Sequence, residues 1–143
     1  MVWLYGGGFL RPFGFPQGAE AEAQGALNLG IKDQVVALQW IKSNIAAFGG
    51  DPEKIMESGF QSTVPMFNAS MREPAWASFV NATPECSGTG ESDTFSCLRR
   101  ANLSTLVDSF NSVLTSGLQS FPFAPVLDGP GGLIPALPSD LLA

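Results

Sequence analysis

The chain has 143 residues, a length that suits a single domain. Charged residues make up only 14% of it, against a typical ~25%, so much of its surface is expected to face other protein. The net charge is −6 without any run of lysine or arginine, which disfavours nucleic-acid binding. No apolar stretch approaches the ~20 residues of a transmembrane segment, and no signal peptide is readable at the start.

Histidine is absent from the sequence. This residue is the commonest general base and the commonest metal ligand in proteins. The two cysteines are too few for a zinc site without histidine partners. Neither a metal site nor another cofactor is therefore predicted.

The first predicted element is a buried strand over residues 2–5, which is stopped by three glycines, Gly6, Gly7 and Gly8. Such a loop can present backbone N–H groups to a ligand, or it can simply turn the chain. The residues alone leave both interpretations open. Residues 10–18 contain two prolines that argue against a helix, and residues 19–30 are small and polar, which predicts a surface loop.

A helix over residues 31–48 is the clearest element. Asn28 is expected to cap it, with Asp33 in its first turn, and Gly49 and Gly50 are expected to end it. Its apolar residues recur at helical spacing, which predicts one apolar stripe and a scaffolding role. The stripe consists of Val35, Leu38, Ile41, Ile45 and Phe48.

In the second half of the chain, the sequence pattern predicts helices over residues 75–83 and 104–114. They are followed by a strand-like segment that is interrupted by prolines. A short terminal turn is expected there, capped by Ser139. Cys86 and Cys97 bracket a polar loop between the helices. If they are oxidised, closing this loop contributes roughly 3 kcal/mol; free thiols or a metal site are the alternatives.

Several stretches together resemble the type B carboxylesterases, which include fungal lipases and cholinesterases. They are, in order, VWLYGGGF, PFGF, GALNLGIKDQVVALQWIKSNIAAFGGDPEKI, IMESG, the segment with both cysteines, and FPFAPVLDG with IPALPSDLLA. The resemblance implies an α/β class, with residues 1–143 as a partial α/β-hydrolase domain. This incomplete fold would be a fragment of a mainly parallel sheet flanked by helices.

The family's chemistry is hydrolysis of a small-molecule or lipid carboxylic ester by a serine, a histidine and an acid. By position, Gly7 and Gly8 match the glycines whose backbone N–H groups form the oxyanion hole. No Gly-x-Ser-x-Gly motif occurs in the chain. Ser58 in ESGF is a candidate nucleophile. It matches the end of a later strand of the family, however, where a structural role is expected.

The resemblance also implies two internal deletions, at 9/10 and at 55/56. The second joins DPEKI directly to MESG, which the family separates by the serine elbow. The chain also begins after the family's first strands and ends before its acid and histidine. We therefore expect an inactive chain with a firm helix over residues 31–48 and poorly packed strands elsewhere. The alternatives are a non-catalytic binding protein or a non-functional product of skipped exons.

The resemblance pairs Cys86 with Cys97 as a disulfide of the secreted relatives. Acceptor patterns for N-glycosylation begin at Asn68, Asn81 and Asn102, although Pro84 hinders the second. Together these features predict a secreted parent protein. The missing signal peptide leaves the localisation of this chain itself open.

Overall fold

The computed structural model describes residues 2–4, 12–55, 57–58, 65–90 and 92–141. Within them lie six α-helices and four two-residue strands, and short 3-10 helices occupy Ile45–Phe48 and Pro84–Cys86. The helices are α1 Gly18–Ala23, α2 Leu29–Asn44, α3 Ala69–Ala82, α4 Thr94–Leu98, α5 Leu103–Thr115 and α6 Pro138–Leu141. The strands are β1 Val2–Trp3, β2 Glu57–Ser58, β3 Phe67–Asn68 and β4 Val126–Leu127.

The strands form two separate parallel pairs. Val2 and Trp3 of β1 pair with Glu57 and Ser58 of β2, and β3 pairs with β4. Parallel pairing requires a long crossover between the strands, and the helices supply it in both cases. The predicted α/β class with parallel strands is confirmed. Each described strand has only one neighbour, so one edge of it lacks a strand partner there.

The hydrophobic core lies between α3 and α5. The ring of Phe79 lies 5.7 Å from that of Trp76 and 5.8 Å from that of Phe123. The predicted helix over residues 104–114 is confirmed as α5, and its Leu106, Phe110 and Val113 are buried in this cluster at helical spacing. The cluster contains Trp76, Phe79, Val80, Cys86, Cys97, Leu106, Phe110, Val113 and Phe123.

Helix α3 begins six residues before the predicted helix. Asn68 caps its first turn, since the side-chain Oδ1 accepts a hydrogen bond of 3.0 Å from the backbone N–H of Met71. Pro74 lies inside the helix and cannot donate to the carbonyl one turn back. Because proline is unfavourable inside a helix, the sequence predicted a helix only after Pro74. In the structure α3 is capped by Asn68 and continues through Pro74.

The prediction of a surface loop over residues 19–30 is wrong, because α1 occupies its first part and Ala21 is fully buried. Small side chains let α1 pack closely against α3. The backbone N–H of Ala19 donates to Oε2 of Glu73 on α3 at 2.7 Å. Gly18 has a φ of 85°, and a Cβ at this position would collide with the same carboxylate.

A buried carboxylate on α1 anchors the start of α4. Glu20 accepts hydrogen bonds from the backbone N–H groups of Thr94 at 2.8 Å and Phe95 at 3.4 Å, and also from the Thr94 hydroxyl. Thr94 in turn accepts from the indole N–H of Trp76 at 3.0 Å. Sequence reasoning missed this link because its partners are more than 70 residues apart.

The predicted helix is present, but its α-helical part, α2, ends at Asn44, and a 3-10 helix continues to Phe48. Gly49 follows with a φ of 80°, which is the expected left-handed stop. The predicted apolar stripe is not packed into a core, because no residue of α2 or of the 3-10 helix after it is buried. Asp33 lies beyond the first turn. Asn28 precedes the helix in a left-handed conformation but makes no side-chain capping bond.

Two further expectations need correction. Trp3 is 69% exposed, so β1 is not a buried strand; within the described residues only β2 pairs with it. Ser139 lies inside α6, where its hydroxyl donates to the Asp140 carboxylate at 3.3 Å, and it therefore does not cap the helix.

A guanidinium without an ionic partner in the described residues joins α3 to the segment after α5 and to Pro65 before β3. Arg72 is 2% exposed and donates to Oε1 of Gln119 at 3.1 Å and to the carbonyls of Ser120 and Pro65. Its guanidinium lies 4.6 Å from the centroid of the Phe67 ring. Burial lowers the pKa of Arg72.

Truncation of the central core residue tests this packing. Phe79→Ala should lower the free energy of unfolding by about 3–5 kcal/mol, because it leaves a cavity among buried rings. Phe48→Ala is the matched control: Phe48 is 73% exposed, and a change within about 0.5 kcal/mol is expected. Urea unfolding followed by circular dichroism measures both variants, and equal losses would contradict the assigned core.

Candidate functional site

The predicted oxyanion donors Gly7 and Gly8 lie outside the described residues, so their role stays a prediction. The strand that leads towards them, β1, places Trp3 directly opposite Ser58 of β2. The carboxyl ends of parallel strands meet at one edge of a sheet, which is where α/β proteins commonly bind ligands. The backbone of Ser58 therefore lies at the same edge as the strand that leads into the glycine loop.

A cleft of about 380 Å³ lies between α2 and the segment that follows its 3-10 helix. We call it the α2 cleft, and its lining consists of Val35, Leu38, Gln39, Lys42 and Ile55. Among the described residues, the polar side-chain groups of this lining are the Gln39 amide and the Lys42 ammonium group. These lining residues can hold an apolar group, but none of them supplies a hydroxyl nucleophile or a carboxylate.

The second strand pair is joined to the start of α2 by one asparagine. Nδ2 of Asn28 donates to the carbonyl of Val126 at 2.8 Å, and Oδ1 accepts from the N–H of Val126 at 2.9 Å. The side chain thus takes the place of a neighbouring strand along β4. The predicted cap residue is correctly located, but its hydrogen bonds go to a residue 98 positions away.

A carboxylate closes the loop after β4. Oδ1 of Asp128 accepts from the N–H of Ile134 at 2.6 Å, and Oδ2 accepts from the N–H of Leu133 at 3.0 Å. Burial raises the pKa of Asp128, but these hydrogen bonds and one from Asn28 outweigh it, so the pKa lies below the ordinary value. Sequence reasoning missed this carboxylate, although the DG pair is a turn signal.

Cys86 and Cys97 form a disulfide, with their Cα atoms 5.7 Å apart. The alternatives of free thiols or a metal site are therefore wrong. Both sulfur atoms belong to buried residues of the core between α3 and α5. The described residues also contain no cluster of three or more metal-ligating side chains.

The three glycosylation acceptors differ in their surroundings. The asparagines at 68, 81 and 102 are all exposed. Thr83, which completes the second pattern, is buried and its hydroxyl donates to the Phe79 carbonyl at 3.0 Å. Asn102 directly precedes α5 and makes no side-chain capping bond. Their modification stays a prediction.

Among the helices of the described segments, none combines the length and the apolar character needed to cross a membrane.

The sequence is similar to a known protein family and to several known proteins. The sequence model of a family described as the carboxylesterase family matches residues 10–62. Cholinesterase 2 of Branchiostoma lanceolatum is 31% identical over 188 residues, which cover 90% of this chain and 55% of that protein. Secreted lipase 1 of Botryotinia fuckeliana is 60% identical over 43 residues, covering 30% of this chain and 8% of that protein.

Acetylcholinesterase of Bungarus fasciatus is 28% identical over 188 residues, covering 90% of this chain and 31% of that protein. The chain thus spans about half the length of these relatives or less. The alignment with Branchiostoma lanceolatum cholinesterase 2 runs over 188 residues. The aligned 90% of this chain amounts to only about 129 residues. About 60 positions of that relative therefore have no counterpart within the aligned part of this chain.

The Asp128 loop generates a prediction about acid stability. The pKa of Asp128 is lower in the folded state than in the unfolded state, so its carboxylate stabilises the fold. This stabilisation is fully present above the unfolded-state pKa and is lost as the pH falls through the folded-state pKa. Asp128→Asn should lower stability at neutral pH by about 1 kcal/mol and reduce the loss of stability as the pH falls below the unfolded-state pKa of about 4.

Urea midpoints at several pH values measure this effect. Asp108→Asn, at an exposed position of α5, is the matched control and should keep the pH dependence of the unmodified chain. An identical pH dependence for Asp128→Asn and the unmodified chain would contradict the assignment.

Proposed function

Because this chain belongs to the carboxylesterase family, we propose that it derives from a serine hydrolase of carboxylic esters and does not itself hydrolyse them. The family supports ester hydrolysis as the ancestral activity. The parent's substrate would be a carboxylic ester, either a small molecule or a lipid, since relatives are named as cholinesterases and as lipases.

The observation that carries the proposal is the missing pair of reactive groups. A serine hydroxyl becomes a nucleophile only when a neighbouring base accepts its proton. The 143 residues contain no histidine and no Gly-x-Ser-x-Gly motif. Even if Gly7 and Gly8 supply two oxyanion donors, such donors stabilise a charge that another group must first create.

Two internal deletions account for the missing elbow. About 60 positions of the aligned cholinesterase have no counterpart here, which is enough for a strand, an elbow and a helix. The family match begins at residue 10, directly after the proposed 9/10 deletion. A gene model with skipped exons would produce both junctions without any change in the parent gene.

Extracellular localisation is proposed for the parent protein. Two relatives are named as secreted lipases, and the chain contains a buried disulfide, which is typical of oxidising compartments.

A second candidate function is a non-catalytic binding protein. The exposed apolar side chains of α2 and the 3-10 helix after it favour this alternative, because a surface of this kind often marks an interaction site.

Labelling with a fluorophosphonate tests the absence of a nucleophile. The purified chain should form no covalent adduct and should release no nitrophenol from p-nitrophenyl butyrate above the buffer rate, because no base activates a serine. Secreted lipase 1 of Botryotinia fuckeliana is the positive control. A stoichiometric adduct that disappears in Ser58→Ala would overturn the proposal and identify Ser58 as the nucleophile.

Genomic DNA tests the origin of the deletions. Between the codons for Ile55 and Met56 we expect an open reading frame that encodes Gly-x-Ser-x-Gly, and between those for Phe9 and Leu10 a second coding stretch. A transcript that includes both stretches would be the parent message. Continuous codons across both junctions in the genome would show that the short chain is the encoded protein.

A further inference from the structure

The three acceptor patterns for N-glycosylation play no part in the proposed function, and the structure gives them different surroundings. Each pattern consists of an asparagine and a serine or threonine two positions later, and both side chains are needed for glycan transfer. A folded acceptor must therefore expose both side chains and must be able to leave its secondary structure locally. The patterns begin at Asn68, Asn81 and Asn102.

The first pattern is held by its own hydrogen bonds. Oδ1 of Asn68 accepts hydrogen bonds of 3.0 Å from the backbone N–H of Met71 and from the Ser70 hydroxyl. Both side chains that an enzyme would need are thus engaged. Asn68 also belongs to β3, and Ala69 between the two is 1% exposed. Modification would break the cap of α3 and expose a buried residue.

The second pattern ends in a buried residue. Thr83 is fully buried, and its hydroxyl donates to the Phe79 carbonyl at 3.0 Å. Asn81 lies in the last turn of α3, and Pro84 follows the pattern. The end of α3, with Phe79 of the core, would have to unfold before an enzyme could reach this hydroxyl.

The third pattern is open. Asn102, Leu103 and Ser104 are all exposed. Asn102 lies directly before α5 with an extended backbone, at φ −68° and ψ 142°, and its side chain makes no capping hydrogen bond to the described residues of this turn. A helix end without a side-chain cap opens at low cost. The first turn of α5 can therefore present this pattern while the buried turns, which begin at Leu106, stay packed.

We propose that Asn102 is the N-glycosylation site of the folded protein, and that Asn68 and Asn81 are not modified once the chain has folded. The donor is a lipid-linked diphospho-oligosaccharide. Nδ2 of Asn102 forms a bond to the anomeric carbon of the first sugar, and the bond from this carbon to the diphosphate oxygen breaks. The amide loses one proton to the transferase, and the lipid diphosphate leaves. In a cell the modification rests on the secretory route proposed above, whereas the choice of site rests on the folded chain alone.

Glycan transfer to the purified, oxidised chain tests this assignment. The chain is incubated with a single-subunit oligosaccharyltransferase and its lipid-linked oligosaccharide, and peptide mass spectrometry measures the occupancy of each asparagine. Occupancy of Asn102 should exceed that of Asn68 or Asn81 by about tenfold or more. The reduced and carboxymethylated chain is the control. Its core carries charged groups, so Asn68 should there be modified about as well as Asn102.

A proline substitution separates the acceptor pattern from the fold. Leu103 is 70% exposed and is the first residue of α5, where proline is favourable and the extended backbone of Asn102 suits it. Proline is not accepted between the asparagine and the hydroxyl residue, so Leu103→Pro should keep α5 and lose the modification of Asn102. Leu103→Ala is the matched control and should be modified like the original sequence. Circular dichroism confirms that both variants keep their helices.

Three results would overturn the proposal. They are no transfer to Asn102 in the folded chain, equal occupancy of Asn68 and Asn102 in the folded chain, and no transfer to Asn68 in the carboxymethylated chain. The last would show that the fold does not select the site. A chain that is modified in vitro but carries no glycan when cells produce it would contradict the proposed secretory route and leave the site assignment standing.

Discussion

The packing of α3 against α5 is the contact on which the described fold depends. Phe79 and Phe123 meet between these helices, and the Cys86–Cys97 disulfide joins the segment that connects them. The disulfide removes conformational freedom from the unfolded chain, while the buried rings supply the hydrophobic stabilisation. Together they account for a compact helical half that does not require a large sheet.

Buried polar side chains fix the other elements relative to this core. Glu20 holds the first turn of α4, and Asn28 replaces a strand neighbour along Val126. Each side chain satisfies backbone groups that would otherwise be buried without partners, at a cost of about 1–3 kcal/mol per group. The parallel pairing of β3 and β4 therefore persists although each strand has only two residues.

The part of the molecule that contains β1, β2 and α2 is organised differently. In it β1 pairs directly with β2, and no residue of α2 is buried. The two strands that flank the proposed deletions are thus neighbours in the structure.

The sequence by itself determined the elements whose signals are local. The helical spacing of α5, the left-handed stop at Gly49 and the family motifs all lie within a few residues of one another. Tertiary structure alone decided the burial of α1, the exposure of α2 and the partners of Glu20 and Asn28. The physical reason is that burial and hydrogen bonding depend on residues far apart in the chain, and a local pattern does not contain those partners.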